Sequence, residues 1–193
     1  MWVSDKAMIR CEWANANPLL MMDHDEHWGV PVYDDQSLFE QLMLEGAQAG
    51  LSWVTILQKK SDYQIAFDNF DPHKIAHYED EKIHALMTNN HIVRHRLKIQ
   101  SVVTNAQAYI DIIQEHSSFS DYLWSFVDGQ RIINHWQHPE QIPTSTPQSV
   151  AMSQGLKSYG FKFVGATTCY AFMQAVGMVN DHLVTCFRHK QCM

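Results

Sequence analysis

The chain has 193 residues, 46% of them hydrophobic and 18% charged, with a formal net charge of −7. That length suits one domain, or two small halves sharing a core, and that composition suits a globular fold over a disordered one. No apolar run approaches the roughly 18 residues of a membrane span, and no repeat or low-complexity tract is present, which argues against a membrane protein, a solenoid or a linker-rich scaffold.

Met1 to Arg10 shows no basic start followed by an apolar core, so no secretion signal is expected and the location expected is cytoplasmic. Helical periodicity then runs through nearly the whole chain. Ser37-Leu38-Phe39-Glu40 reads as a capping box opening a helix with Leu38, Leu42 and Met43 on its apolar face, broken or ended by Gly46 and Gly50. Ser52 can cap a second helix that buries Trp53, Ile56 and Leu57. Asp71-Pro72 is a start signal, and a further helix over about 80–87 stops at Asn89-Asn90. A long helix over about 94–114 follows, apolar at Ile99, Val102, Val103, Ala106, Tyr109, Ile110 and Ile113.

Ser118 or Ser120 starts a short aromatic helix through Trp124 and Val127, stopped by Gly129. The loop from Ile142 to Pro147 opens another helix that ends at Gly160. Residues 164–177 are apolar on most sides and read as buried, and Asn180 or Asp181 can cap a last short helix carrying His182 and Cys186. The best strand candidate, Phe161 to Val164, is short. The fold class expected is all-α.

Charge is unevenly spread. Residues 1–81 hold 15 acids and 5 Lys/Arg, whereas residues 82–193 hold 6 acids and 9 Lys/Arg. No acid occurs between Lys82 and Ile110, a stretch that also carries Arg94, Arg96 and Lys98, and 141–180 is acid-free as well. Charges act locally, because salt screens them within about 10 Å, so a basic face on an acidic protein can still hold phosphates. A solvated helix face is the other reading.

The four cysteines are Cys11, Cys169, Cys186 and Cys192. Without a secretion signal the expected setting is reducing, which leaves free thiols or metal ligands. His182 and Cys186 are four apart and would share one face of a helix, while Cys11 and His24 lie near the other end. Two sulfurs and two imidazoles would complete a closed tetrahedral zinc site that clips the N-terminal segment onto the C-terminal helix. The chain has 12 histidines, so an accidental pairing is the alternative. Glu45 lies in a run of apolar and small residues and is followed by Trp53, with Trp13 and Trp28 earlier. Tryptophans beside a carboxylate can bind a flat cationic ring, or can simply be core aromatics near a capped acid.

The strings Leu44-Glu45-Gly46-Ala47-Gln48-Ala49-Gly50-Leu51-Ser52-Trp53, Ile142-Pro143-Thr144-Ser145-Thr146, Gly160-Phe161-Lys162-Phe163-Val164-Gly165 and Val179-Asn180-Asp181-His182 are far more specific. On them the chain resembles the bacterial type I 3-methyladenine DNA glycosylases, the TAG family of the helix-hairpin-helix superfamily, from Cys11 to Cys186. The resemblance implies a single glycosylase domain over 1–193, a helical bundle of two lobes with the base pocket between them. The N- and C-terminal segments would form the zinc-clipped lobe, and about 37–127 would contain the hairpin lobe. It implies structural Zn2+ on Cys11, His24, His182 and Cys186. It implies a base pocket with Glu45 as the catalytic and base-binding carboxylate, Trp53 as a stacking face and Trp13 beside them, and a DNA-binding hairpin near 90–98 that includes Arg94, Arg96 and Lys98. The activity implied is monofunctional release of N3-alkylated adenine from damaged double-stranded DNA, giving free 3-methyladenine and an abasic site, by a monomer with no membrane partner.

The chain departs from that family where Leu20 and Asp23 replace two pocket tyrosines, where His91 and Leu97 replace hairpin glycines, and where His27 replaces a glutamate. Asp23 would add negative charge near a cationic base or face solvent. These departures keep other readings open: a glycosylase of altered base specificity, a non-catalytic DNA- or lesion-binding relative, or a fold recruited to bind a free purine or a protein.

Overall fold

The computed structural model describes residues 8–193, so most of the expectation for Met1 to Arg10 lies outside the described residues. The first helix, α1 (Pro18–Glu26), starts on Asn17, whose side chain accepts from Leu19 N, with Pro18 in the first turn. There the missing proline N–H costs nothing. The next, α2 (Asp35–Gln48), is capped by Asp34. Ser37 is therefore not the N-cap: both its N–H and its hydroxyl donate to the Asp34 carboxylate, and the helix opens three residues earlier than the capping box suggested. Gly46 does not break α2. A Cβ there would sit 3.3 Å from Phe163 Cβ, so glycine lets the 161–165 loop press close to the helix. Gly50, at φ +77°, follows the end.

Ser52 caps α3 (Trp53–Ala66), and Asp71 caps the single turn of α4 (Pro72–Ile75). Then come α5 (Asp80–Thr88), α6 (Arg96–Glu115) and α7 (Phe119–Trp124), the last capped by Ser118. Thr146 caps α8 (Pro147–Ser158), and the buried α9 (Ala166–Ala175) and short α10 (Phe187–Gln191) complete the helices.

Three further expectations are corrected. The fold is mostly helical but not wholly so: β1 (Ile132–Ile133) pairs in parallel with β2 (Val179–Asn180), Ile132 opposite Val179. Two-residue strands are too short to show alternation in a sequence. Phe161 to Val164 is loop, because side chains take its polar groups: Lys162 N donates to Asn105 Oδ1 and Ser153 Oγ to Val164 O. Phe163, at φ +57°, also breaks extension. Finally, His182 and Cys186 share no helix. Asn180 lies in β2, a turn follows, and Cys186 is the N-cap of α10.

The core centres on α2, which packs against α3, α6, α7 and α9. Leu38, Phe39, Leu42 and Leu44 on it are 0% exposed, and each such side chain stabilises the fold by about 1.5–3 kcal/mol through its burial. The ring of Phe39 meets Tyr109 of α6 and Phe119 of α7. A carboxylate joins two helices as well: Asp35 of α2 accepts the orphan N–H groups of Phe119 and Ser120 at the start of α7.

Helices α5 and α6 form a hairpin through residues 89–95. Its turn is held from α3, where Lys59 Nζ donates to His91 O and Tyr63 OH accepts from Val93 N. Ile92 is buried beneath it, and His95 caps α6 by accepting from Lys98 N.

Candidate active site and metal centre

Cys11, His24, His182 and Cys186 are all buried, and their ligand atoms lie within 4.8 Å of one another. Cys186 Sγ stands 3.4 Å from His24 Nε2 and 3.7 Å from His182 Nδ1, and Cys11 Sγ 3.8 Å from His182 Nδ1. The outer hydrogen bonds decide which imidazole nitrogens face inward. Asp25 Oδ1 lies 2.8 Å from His24 Nδ1 and can only accept, so Nδ1 carries the proton and Nε2 presents a lone pair. The Trp28 carbonyl does the same for His182 Nε2, leaving Nδ1 free. Burial alone would raise the Asp25 carboxyl, but hydrogen bonds from Arg10 and His24 outweigh it and hold it below the usual range. Within the cluster the neighbouring Cys11 thiol and the two imidazoles pull the Cys186 thiol down, while Cys186 and burial push the Cys11 thiol up. These four residues can hold a metal ion. Gly29 permits the approach: a Cβ there would come 3.0 Å from His182 Nε2.

Beside this cluster lies a cleft of about 430 Å3, walled by Trp13, Trp28 and Trp53 and floored by Glu45. Glu45 is 5% exposed, and Gln41 Nε2 donates to its Oε1 at 2.8 Å. Burial pushes its carboxyl up to about 8; the Gln41 amide works against that and the nearby Asp23 adds to it. Asp23 is 8% exposed and accepts the Trp53 indole N–H at 2.9 Å. Its own carboxyl is raised by burial, against that hydrogen bond. Trp28 belongs to both sites: its ring meets Trp13 edge-on at 5.3 Å and His182 edge-on at 4.6 Å.

The family model described as methyladenine glycosylase matches residues 13–189. The chain belongs to the methyladenine glycosylase family. It is 48% identical to DNA-3-methyladenine glycosylase 1 of Escherichia coli (strain K12) over 179 residues, which cover 93% of this chain and 96% of that protein. A crystal structure of a 3-methyladenine DNA glycosylase I (TAG) superposes with a TM-score of 0.90 at 50% identity, covering 93% of this chain and 98% of the other. The Staphylococcus aureus enzyme, solved to show 3-methyladenine recognition, superposes at 0.90 with 41% identity, covering 94% and 96%.

For a methyladenine glycosylase, this chain's candidate residues fall in three places. Glu45, Trp13 and Trp53 meet at the cleft. Asp23 does not line it; the carboxylate stands behind Trp53 and is turned to the indole N–H instead of to the cleft. Leu20 is half-buried and also off the cleft wall. Arg94 and Arg96 are exposed on the hairpin, with no carboxylate paired to either among the described residues. Lys98 is drawn away from them, its Nζ donating to the carbonyls of Ala47 and Ala49 at the end of α2. Sequence reasoning missed Gln48 and Gln174 on the cleft wall. Gln174 sits in a segment read as buried and apolar, and a single amide there carries no signal.

Proposed function

We propose that this chain is a monofunctional DNA-3-methyladenine glycosylase that draws an N3-alkylated adenine out of duplex DNA and hydrolyses its glycosidic bond. The observation that carries the reading is a buried carboxylate, Glu45, at the floor of a cleft with three tryptophan walls. A base inside a duplex is out of reach, so it must be extruded before anything can act on it. Alkylation at N3 puts positive charge on the ring, which weakens the C1′–N9 bond in advance. The cleft then has to select a flat cation, and the tryptophan faces and the Glu45 charge do that together. Glu45 accepts an N–H of the exocyclic amino group. Water adds to C1′, the C1′–N9 pair moves onto the base and neutralises it, and the water proton leaves to solvent. Abasic DNA and neutral 3-methyladenine remain. No lysine is among the described residues lining the cleft, which supports hydrolysis over an imine intermediate.

We read the duplex as lying across the hairpin, with Arg94 and Arg96 and the N-terminus of the 20-residue α6 toward its phosphates. The domain is read as 1–193 in two lobes, about 37–127 holding the hairpin, and acting as a monomer on cytoplasmic DNA. No helix among the described residues is long and apolar enough to cross a membrane.

The metal is read as zinc. A tetrahedron with Zn–S of about 2.3 Å and Zn–N of about 2.0–2.1 Å has sulfur-to-nitrogen edges of about 3.5 Å, and the three sulfur-to-nitrogen separations of 3.4, 3.7 and 3.8 Å lie close to it. Two thiolates and two imidazoles fill four positions, so the ion would stabilise the fold and leave no place for a reacting water.

Methylated duplex DNA incubated with the purified protein tests the activity, with chromatography of the freed bases. Release of 3-methyladenine is the expected result. Intact, metal-loaded protein that frees none would overturn the reading.

A further inference from the structure

Asp181 is 0% exposed and accepts four hydrogen bonds. Asn134 Nδ2 and Trp136 Nε1 donate to Oδ1, each at 2.7 Å. Tyr170 OH donates to Oδ2 at 2.6 Å, and Gln174 Nε2 at 2.8 Å. A carboxylate with every lone pair engaged by a donor is acceptor-only. This settles the amide of Gln174, because only its –NH2 end can face Asp181. The carbonyl Oε1 is left with no protein partner among the described residues, on a side chain that forms part of the cleft wall. Glu45, across the same cleft, also has one oxygen without a partner once Gln41 has bonded the other. The cleft thus offers two acceptor oxygens, one charged and one neutral, and an amino group has two N–H donors to give.

We infer that Gln174 is a specificity-determining residue: its carbonyl accepts an N–H from the 6-amino group of the purine in the cleft, and Asp181 is the positioning residue that holds it so. The inference rests on reading the cleft as the base pocket. A purine with a keto oxygen at that position would set an acceptor against two acceptors and be rejected, since a polar group buried without a partner is costly. A freely rotating glutamine would turn its –NH2 to the keto group and lose the distinction, so the buried carboxylate is what makes the amide selective.

Calorimetric titration of free 3-methyladenine and free 3-methylhypoxanthine, which differ by amino against keto at position 6, reads this without needing turnover. Wild-type protein should prefer the amino base. Gln174→Met, close in volume but without the acceptor, should cut that preference by about three- to tenfold, through weaker binding of the amino base alone. Asp181→Asn, or Gln174→Ala should the methionine variant misfold, should cut it in the same direction, with melting temperature and metal content recorded for each. A preference unchanged in the variants overturns the inference, and so does equal weakening of both bases, which would make Gln174 mere wall. If wild-type protein binds neither base, the pocket reading itself fails and this inference with it.

Discussion

Glu45 is held in a state that costs stability and that, in the proposed function, would serve the selection of a cation. Its carboxyl is buried among apolar side chains of α2 and titrates near 8 instead of the ordinary 4.5. Between those values the folded protein keeps a proton that the unfolded chain has lost, so the contribution of Glu45 to stability falls as pH rises through that window. Under the proposed function, a cationic base would offset the cost by pairing with the carboxylate. For the free enzyme, kcat/KM for base release should therefore climb as pH rises toward about 8 and then level. Glu45→Gln should flatten that climb and lower the plateau by about 10- to 100-fold, the worth of a charge-assisted hydrogen bond. Its melting temperature at pH 9 should not fall, because a neutral amide fits the same place without the burial cost. A steep climb persisting in the variant would assign the titration elsewhere. Asp23 belongs beside Glu45 in this account. It replaces an aromatic ring expected at the base, yet its visible work is to fix the Trp53 indole.

The hairpin shows how an element divides labour among basic residues that look alike in sequence. Arg94, Arg96 and Lys98 lie within five positions, but only the arginines stand free in solvent. Lys98 spends two donors on the carbonyls of Ala47 and Ala49, the orphan acceptors at the end of α2. Burial also lowers its ammonium below the ordinary lysine value. Arg94→Ala and Arg96→Ala should each reduce the slope of log affinity for duplex DNA against log salt by about 1, with melting temperature unchanged. Lys98→Met should behave oppositely, costing about 1–2 kcal/mol of stability for its two bonds while leaving the salt slope nearly intact. Equal salt-slope changes for all three would show Lys98 on the DNA as well. Leu97, 64% exposed in the first turn of α6, replaces a glycine expected there and gives the hairpin an apolar tip.

At the scale of the whole molecule, the cluster of Cys11, His24, His182 and Cys186 joins segments near the two ends of the chain and lies beside the cleft. Phe187 N donates to Ile9 O beside it, and Arg10 reaches the Asp25 that orients His24. Trp28 bridges from the ligand rings to Trp13 on the cleft wall. Chelation, or Cys186→Ser, should accordingly lower the melting temperature by about 10 °C, a loss of a few kcal/mol at this size. The same treatments should weaken binding of free 3-methyladenine, because the aromatic wall loses its backing. Unchanged melting after verified metal removal would refute the role given to the cluster, and weakened melting with undiminished base binding would separate it from the cleft.

Most helices were legible because capping residues and 3.6-residue periodicity are local properties: Ser52, Asp71 and Ser118 each start the helix expected of them. The identities of Cys11, His24, His182 and Cys186 were also legible, but not the reason they converge. Helical spacing pointed to His182 and Cys186, and a turn after β2 brings them together. What the sequence by itself determined was the chemistry available, namely two thiols, two imidazoles, the Glu45 carboxyl and the tryptophans. Only the tertiary structure decided how those groups are used: that Lys98 caps a helix, that Asp23 faces an indole, and that Asp181 turns the Gln174 carbonyl free. Each of these rests on hydrogen bonds between residues far apart along the chain, and no local pattern records them.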